Sequence, residues 1–162
     1  MKFRCERDAL ADAITTAQRA VASRTGVLPV LSGLRMTASD GSVELVGSDL
    51  ELTVRVTAPA DVANTGMAVI PAKLLAEVVR SLDPGSVSVE IADDEARISA
   101  GPSKFALRVL PTEDFPRLPD VSGSAVTTDA AVLATALHQV ISAASRDDAR
   151  PILTGVLLTA TS

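Results

Sequence analysis

The chain has 162 residues, of which 47% are apolar and 22% charged, and its formal net charge is −5 at pH 7. This composition is typical of a globular protein with its own core. Because only 2% of the residues are aromatic, Ala, Val, Leu and Ile must build that core. No apolar run approaches the roughly 18 residues needed to span a bilayer. The first residues, "MKFRCERDAL", lack the apolar stretch of a signal peptide. A single cysteine excludes an internal disulfide. We therefore expect a soluble cytoplasmic protein.

The first third of the chain predicts a helix followed by strands. Apolar residues at spacings of three and four indicate a helix over 7–21, with "SRTG" at 23–26 ending it. The residues that form this stripe are Leu10, Ala13, Ile14, Ala17 and Val21. Pro29 prevents continuation of the helix, residues 30–38 read as a strand, and "SDG" at 39–41 is a turn signal.

Alternating apolar and polar residues in "SVELVGSDLELTVRVTA" predict two antiparallel strands with one solvated face. The residues expected on the apolar face are Leu50, Leu52, Val54 and Val56, opposite Glu51, Thr53 and Arg55. Gly47 interrupts the pattern and suggests a bulge or a break between two strands.

A second helix and more strands follow. A short strand at 67–70 leads into Pro71, which suits the first turn of a helix, and this helix runs to about Leu82. Further strands are predicted at 87–91, at 96–98 and at 103–110. The last of them should turn Phe105, Leu107 and Val109 inward. Residues 111–125, rich in Pro and small polar residues, read as a connector.

The strand–helix–strands pattern occurs twice within residues 1–110 and begins a third time after the connector. The first two copies share an offset of 65, as in Leu10/Leu75 and Ile14/Val79. The third copy matches the first at an offset of 123, and at 122 from "RPILTG" onward, where it restates "LPVLSG". It stops after one helix and one strand, so we expect Leu153, Val156 and Leu158 to lack most of their core.

The residues that usually carry catalysis are scarce. His138 is the only histidine, and we expect it at the surface or the core boundary. Cys5 lies on a predicted strand beside Phe3, where a buried and inert thiol is the default. The three acids of "DDE" at 93–95 lack a fixed ligand spacing and read as a solvated turn. We therefore predict neither an enzyme nor a metal or cofactor site.

Cations on the helix faces are more informative. About 100° per residue places Lys73 and Arg80 opposite Leu75, with Glu77 between them and able to pair with either. Arg19 lies opposite Leu10, and Arg24, Arg146 and Arg150 occupy loops of the first and third repeats. An ordinary solvated helix face explains any one of these charges. In a repeated unit, however, they would share one surface, which is the pattern of phosphate contact without base reading.

Six segments resemble the beta subunit of bacterial DNA polymerase III, the sliding clamp. They are "MKFRCERDAL", "LPVLSGL", "GSDLELTV", "IPAKLLAEVVRSL", "SKFALRVLPTEDFPRLP" and "SRDDARPILTG", the last in a form that looks actinobacterial. The resemblance implies an α+β sliding-clamp fold with antiparallel sheets outside and two helices on the inner face. It divides the chain into clamp domain 1 (1–118), a linker (119–125) and an incomplete domain 2 (126–162), with domain 3 absent.

The resemblance also implies a function: a non-catalytic processivity factor that encircles duplex DNA as a head-to-tail homodimeric ring. By position, Arg24, Lys73, Arg80 and Arg150 match residues that face or touch DNA, with Arg19 and Arg146 as additions. Lys104, Phe105 and Arg108 are the candidates for subunit contact. Pro151 and Ile152 stand where the family carries aromatic residues, and Lys73 stands where an arginine is common. The polymerase alpha subunit and the clamp loader would bind through parts missing here.

Two other readings stay open. One is an unrelated α+β interaction module that oligomerises through an edge strand, and the other is a small hydrolase or binding enzyme. Continuation of the reading frame through the second domain's strands would favour the clamp, whereas turnover by the purified protein would be needed for the enzyme.

Overall fold

A computed structural model describes residues 1–22, 28–118, 125–147 and 149–159. The chain forms two compact units, Met1–Leu118 and Pro119–Ser162. We call them unit 1 and unit 2 and describe each by itself.

Unit 1 contains nine strands and two α-helices within its described residues. They are β1 (Lys2–Glu6), α1 (Arg7–Ala17), β2 (Gly33–Ser39), β3 (Ser42–Ser48), β4 (Thr53–Pro59), β5 (Asp61–Asn64), β6 (Gly66–Pro71), α2 (Ala72–Ser81), β7 (Ser86–Ala92), β8 (Glu95–Ala100) and β9 (Ser103–Arg108). Short 3₁₀ segments at Gln18–Ala20, Pro29–Ser32 and Thr112–Asp114 complete it. The strand β5 was not predicted.

The strands form two antiparallel sheets, in the orders β5-β1-β7-β8-β9 and β4-β3-β2-β6. The predicted duplication is visible in them, since β1-α1-β2-β3-β4 is followed by β6-α2-β7-β8-β9. Each copy gives its first strand to the other copy's sheet: β1 pairs with β7, and β6 pairs with β2. Neither copy can therefore complete its sheet alone.

The core of unit 1 lies between the inner faces of the sheets and the apolar stripes of the two helices. Alternation along each strand sends one set of side chains inward. Fully buried members include Phe3, Leu34 and Ile98 from the sheets, together with Leu10 and Leu75 from the helices. The predicted stripe of α1 is confirmed at Leu10, Ala13, Ile14 and Ala17, which are buried, whereas Val21 lies beyond α1 and is half-buried. Leu75 of α2 is buried as predicted.

The strand predicted over 30–38 begins only at Gly33. Pro29–Ser32 form a 3₁₀ turn instead, with Pro29 in its first position, where the fixed φ of proline suits a helical start. Val30 and Leu31 are apolar because they belong to a small second cluster with Val69. A tertiary contact, and not strand pairing, explains this part of the pattern.

The predicted alternation through residues 50–52 is wrong. Leu50 and Leu52 lie in the turn between β3 and β4 and are 59% and 52% exposed. The Asp49 carboxylate shapes this turn by accepting hydrogen bonds from the backbone N–H groups of Leu52 (2.7 Å) and Glu51 (3.0 Å). These bonds stabilise its ionised form and lower the pKa of Asp49.

Gly47 causes neither a bulge nor a break. The pairing of β3 with β4 runs in continuous register from Ser42↔Pro59 to Ser48↔Thr53. The glycine is required by packing, because a Cβ there would overlap the carbonyl oxygen of Ala17, at the end of α1.

The first part of the predicted connector belongs to unit 1. Phe115 is only 8% exposed and joins the second cluster with Val30 and Val69. The guanidinium of Arg35 lies 5.2 Å from the centre of its ring, which is cation–π distance. An apolar anchor therefore holds residues 112–118 on the unit.

Within its described residues, unit 2 repeats α1 and the two 3₁₀ turns that follow it, but no strand. The helix α3 (Ala130–Val140) has the same 11-residue length as α1 and follows it at the predicted offset of 123. The 3₁₀ segments Ile141–Ala143 and Pro151–Leu153 follow at 123 and 122. Residues 125–129 and 155–159, equivalent to parts of β1 and β2, form no strand.

Most of the large apolar residues in the described part of unit 2 are exposed. Leu153 and Leu158 are 50% and 69% exposed, as the sequence led us to expect, whereas Val156 is half-buried. Helical hydrogen bonds close within a segment, but a strand needs a partner strand. The helices have therefore formed where the strands have not.

Candidate nucleic-acid interface

The helices α1 and α2 lie side by side in unit 1 and present cations to solvent. Leu75 is fully buried, whereas Lys73 and Arg80 are exposed. Arg19 is also exposed, in the 3₁₀ turn that continues α1. We call Arg19, Lys73 and Arg80 the helix-face cations.

The two helices meet through Arg80. Its Nη2 donates to the Thr15 hydroxyl at 3.4 Å, and the two positions are related by the repeat offset of 65. Within the described residues, no carboxylate oxygen lies within 4 Å of any helix-face cation. The predicted pairing of Glu77 with Lys73 or Arg80 is therefore not formed.

Two cations on the outer face of the first sheet are paired with carboxylates. Lys2 bonds Glu90 at 3.0 Å, and Arg97 bonds Glu95 at 2.9 Å. The ammonium group of Lys2 lowers the pKa of Glu90 by hydrogen bonding and by its charge. The charges of Lys2 and Arg97 are thus locally compensated, whereas in the described residues no carboxylate oxygen lies within 4 Å of a helix-face cation.

The helix face also carries carboxylates. Asp12 and Glu77 are exposed there, and Asp8 is held by Arg7 at 3.0 Å. The mixture weakens the attraction that this face exerts on a polyanion.

The remaining predicted DNA contacts are distributed over both units. Arg24 lies outside the described residues. Arg146 and Arg150 are exposed in unit 2, on the segment after α3, and Arg150 immediately precedes the Pro151–Leu153 turn. Ile152, which by the resemblance replaces an aromatic residue of the family, is 90% exposed.

The predicted subunit contacts lie on β9, an edge strand of the first sheet. Phe105 pairs with the buried Ile98, so its ring is on the core side of the sheet, yet it is 38% exposed. Lys104 and Arg108 are exposed and alternate with it along the strand. The second edge of β9 has no partner strand among the residues that the structure describes.

A groove of about 530 Å³ adjoins this edge, and sequence reasoning missed it. Leu74, 48% exposed, lines it together with Arg108 and Glu113. Leu74 lies about 100° from the buried Leu75 on the helical wheel, and a leucine displaced from the apolar stripe was the available signal.

The one cysteine of the chain, Cys5, is buried. Burial raises the pKa of the Cys5 thiol to about 11, with a smaller contribution from Glu6, so the nucleophilic thiolate is scarce at neutral pH. No group of three or more His, Cys, Asp or Glu side chains in these residues could hold a metal ion. His138 is exposed. No helix in the described ranges is long and apolar enough to cross a membrane.

Two antiparallel sheets, a duplicated unit and paired helices with exposed cations are the features that the resemblance to the sliding clamps implied. Residues 1–119 match the family model of the DNA polymerase III beta subunit, N-terminal domain. The chain therefore belongs to the DNA polymerase III beta subunit family.

Similar proteins agree with this assignment. The beta sliding clamp of Micrococcus luteus is 42% identical over 156 residues, covering 96% of this chain and 50% of that protein. The beta sliding clamp of Streptomyces coelicolor is 38% identical over 156 residues, covering 96% and 41%. The crystal structure of the DNA polymerase sliding clamp from Bacillus subtilis superposes with a TM-score of 0.90 at 29% identity, covering 96% and 43%. The chain thus spans about half the length, or less, of these relatives.

Proposed function

We propose that this chain forms part of a ring-shaped sliding clamp that encircles duplex DNA. The clamp acts in the bacterial cytoplasm as a non-catalytic processivity factor of DNA polymerase III. Its family membership supports this function. The observation that carries DNA contact is the set of helix-face cations without acidic partners.

The proposed contacts are individually weak. A few cations among carboxylates give non-specific binding, on the order of 10⁻⁴ to 10⁻⁶ M at physiological salt. Weak phosphate contacts permit sliding, and topological closure provides retention. Arg24, Lys73, Arg80 and Arg150 are the principal contacts in this proposal, and Arg19 and Arg146 are additional ones.

Ring closure is proposed to use the edge of β9. A partner strand that pairs there would continue the first sheet by β-augmentation and cover the exposed part of Phe105. Lys104 and Arg108 would then meet charges of the partner. In the proposed head-to-tail homodimer, the β9 edge of each subunit pairs with a different surface of its partner.

Unit 2 is proposed to be the beginning of a second clamp domain. Its uncovered residues Leu153 and Leu158 are equivalent to Leu31 and Met36, which are buried in unit 1. Further strands would bury them. The polymerase alpha subunit and the clamp loader are proposed to bind outside the residues described above.

Retention on circular DNA tests the function. The full-length protein is loaded onto nicked circular plasmid, and the bound fraction is measured before and after the plasmid is linearised. We expect retention that linearisation abolishes. In equilibrium binding to a short duplex, the double variant Lys73→Ala/Arg80→Ala should bind more weakly, and the slope of log K against log salt should fall by about 0.9 for each phosphate that the variant no longer neutralises.

Arg97→Ala is the matched control, because it removes one cation from the outer face of the sheet. It should leave both measurements unchanged. Equal retention on circular and linear plasmid would refute the clamp. If Phe105→Glu disrupted self-association while the wild-type protein did not bind DNA, the better interpretation would be an interaction module that oligomerises through its edge strand.

A further inference from the structure

Unit 2 contains a cleft of about 690 Å³ between the end of α3 and the segment that follows it. Its polar lining includes His138 from α3, with Ser145, Arg146 and Thr154 from the later segment. No carboxylate is among the described residues that line it. The cleft therefore offers one fixed cation, an imidazole and hydroxyl groups, which together suit an anion.

The cleft has an ordered wall. The N–H of Ser145 donates to the carbonyl oxygen of Leu153 at 2.8 Å. The Ser145 hydroxyl oxygen accepts from the N–H of Asp147 at 3.0 Å, so its own proton remains to be donated outward. These bonds fix the backbone on both sides of Arg146.

The internal repeat independently relates His138 to a residue on the helix face of unit 1. The offset of 123 that relates α1 to α3 places His138 at the position of Thr15. In unit 1 that position meets Arg80, one of the helix-face cations. The equivalent face of α3 thus carries the one histidine of the chain.

The helix α3 is also less acidic than α1. The helix α1 carries Asp8 and Asp12, whereas α3 contains no acidic residue, and His138 is its one ionisable side chain. A phosphate that approaches His138 consequently meets no carboxylate from α3 itself. The helix α3 itself therefore adds no negative charge to this face of unit 2.

We propose that His138 and Arg146 form a DNA phosphate-binding site in this cleft, with His138 as a further DNA-contacting residue. The inference rests on the proposed clamp function and extends it to a residue that neither composition nor family motif assigned. The imidazole N–H and the guanidinium donate to the oxygens of one backbone phosphate, while Ser145 supplies a neutral donor.

Charge substitutions at neighbouring positions test the site in the full-length protein. His138→Glu places a carboxylate against the phosphate and should weaken binding to a short duplex by about fivefold, the effect of one contact between unit charges at 4 Å in water. His138→Arg should steepen the salt dependence by about 0.9. Gln139→Glu is the matched control, because Gln139 lines a different face of α3 with Thr135 and should leave affinity within twofold.

The outcomes separate this inference from the function on which it rests. If His138→Glu matched wild type while Lys73→Ala/Arg80→Ala weakened binding, the cleft would be no phosphate site and the clamp would stand. Equal weakening by His138→Glu and Gln139→Glu would also overturn the site, since the effect would be one of net charge. Failure of the wild-type protein to bind DNA would overturn both proposals.

Discussion

Gly47→Ala should destabilise unit 1, although alanine is ordinarily the better residue in a strand. The added Cβ would lie 3.1 Å from the carbonyl carbon of Ala17 and 3.2 Å from Cδ2 of Leu34, and it would overlap the Ala17 oxygen. The leucine can rotate, but the backbone at the end of α1 can only move away. Such overpacking costs about 1–3 kcal/mol, which exceeds the roughly 0.4–1 kcal/mol gained by restricting the unfolded chain.

Thermal unfolding followed by circular dichroism measures this cost. The net cost is about 0.6–2 kcal/mol, and for a unit of this size each kcal/mol lowers Tm by about 4 °C, so we expect a decrease of about 2–8 °C. Gly155→Ala is the control, because nothing lies within 4 Å of a Cβ at that position, and it should leave Tm unchanged. A Gly47→Ala variant with wild-type Tm would refute the close approach of α1 to β3.

Two further substitutions probe the packing of the repeats and of the connector. Leu10→Ala should cost about 2–5 kcal/mol because Leu10 is fully buried. Leu133→Ala, at the equivalent position of α3, should cost much less because Leu133 is only half-buried. Urea unfolding measures the loss of unfolding free energy in both variants. Equal losses would contradict the incomplete core of unit 2. Phe115→Ala should cost about 3–5 kcal/mol and expose residues 112–118 to limited proteolysis, while unchanged cleavage would show that Phe115 is not the anchor.

The helices and the hairpins could be predicted from the sequence because their determinants are local. Leu75 and Val79 recur at helical spacing and are buried, and Asp40-Gly41 carry the positive φ angles (48° and 74°) that a tight hairpin turn needs. The positions of Lys73 and Arg80 opposite Leu75 follow from the same periodicity. The exposed face of the candidate interface was therefore predictable.

The errors arose where a distant segment decides the structure. Val30 and Leu31 are apolar because Phe115 and Val69 cover them, and nothing within residues 28–40 indicates that partner. The error at Leu50 and Leu52 is local instead: they continue the alternation of β4, yet hydrogen bonds to the neighbouring Asp49 place them in a turn. The cleft of His138 and Arg146 joins residues that no motif connects.

The sequence by itself determined the repeat, the helices and the cations they present, since each depends on spacing within a short segment. The tertiary structure decided which strands pair. The exchange of β1 and β6 between the two copies and the absence of strands at 125–129 and 155–159 both depend on whether a partner edge is within reach. Hydrogen bonds between strands join residues far apart in the chain, so the local pattern specifies a strand's faces but not its neighbour.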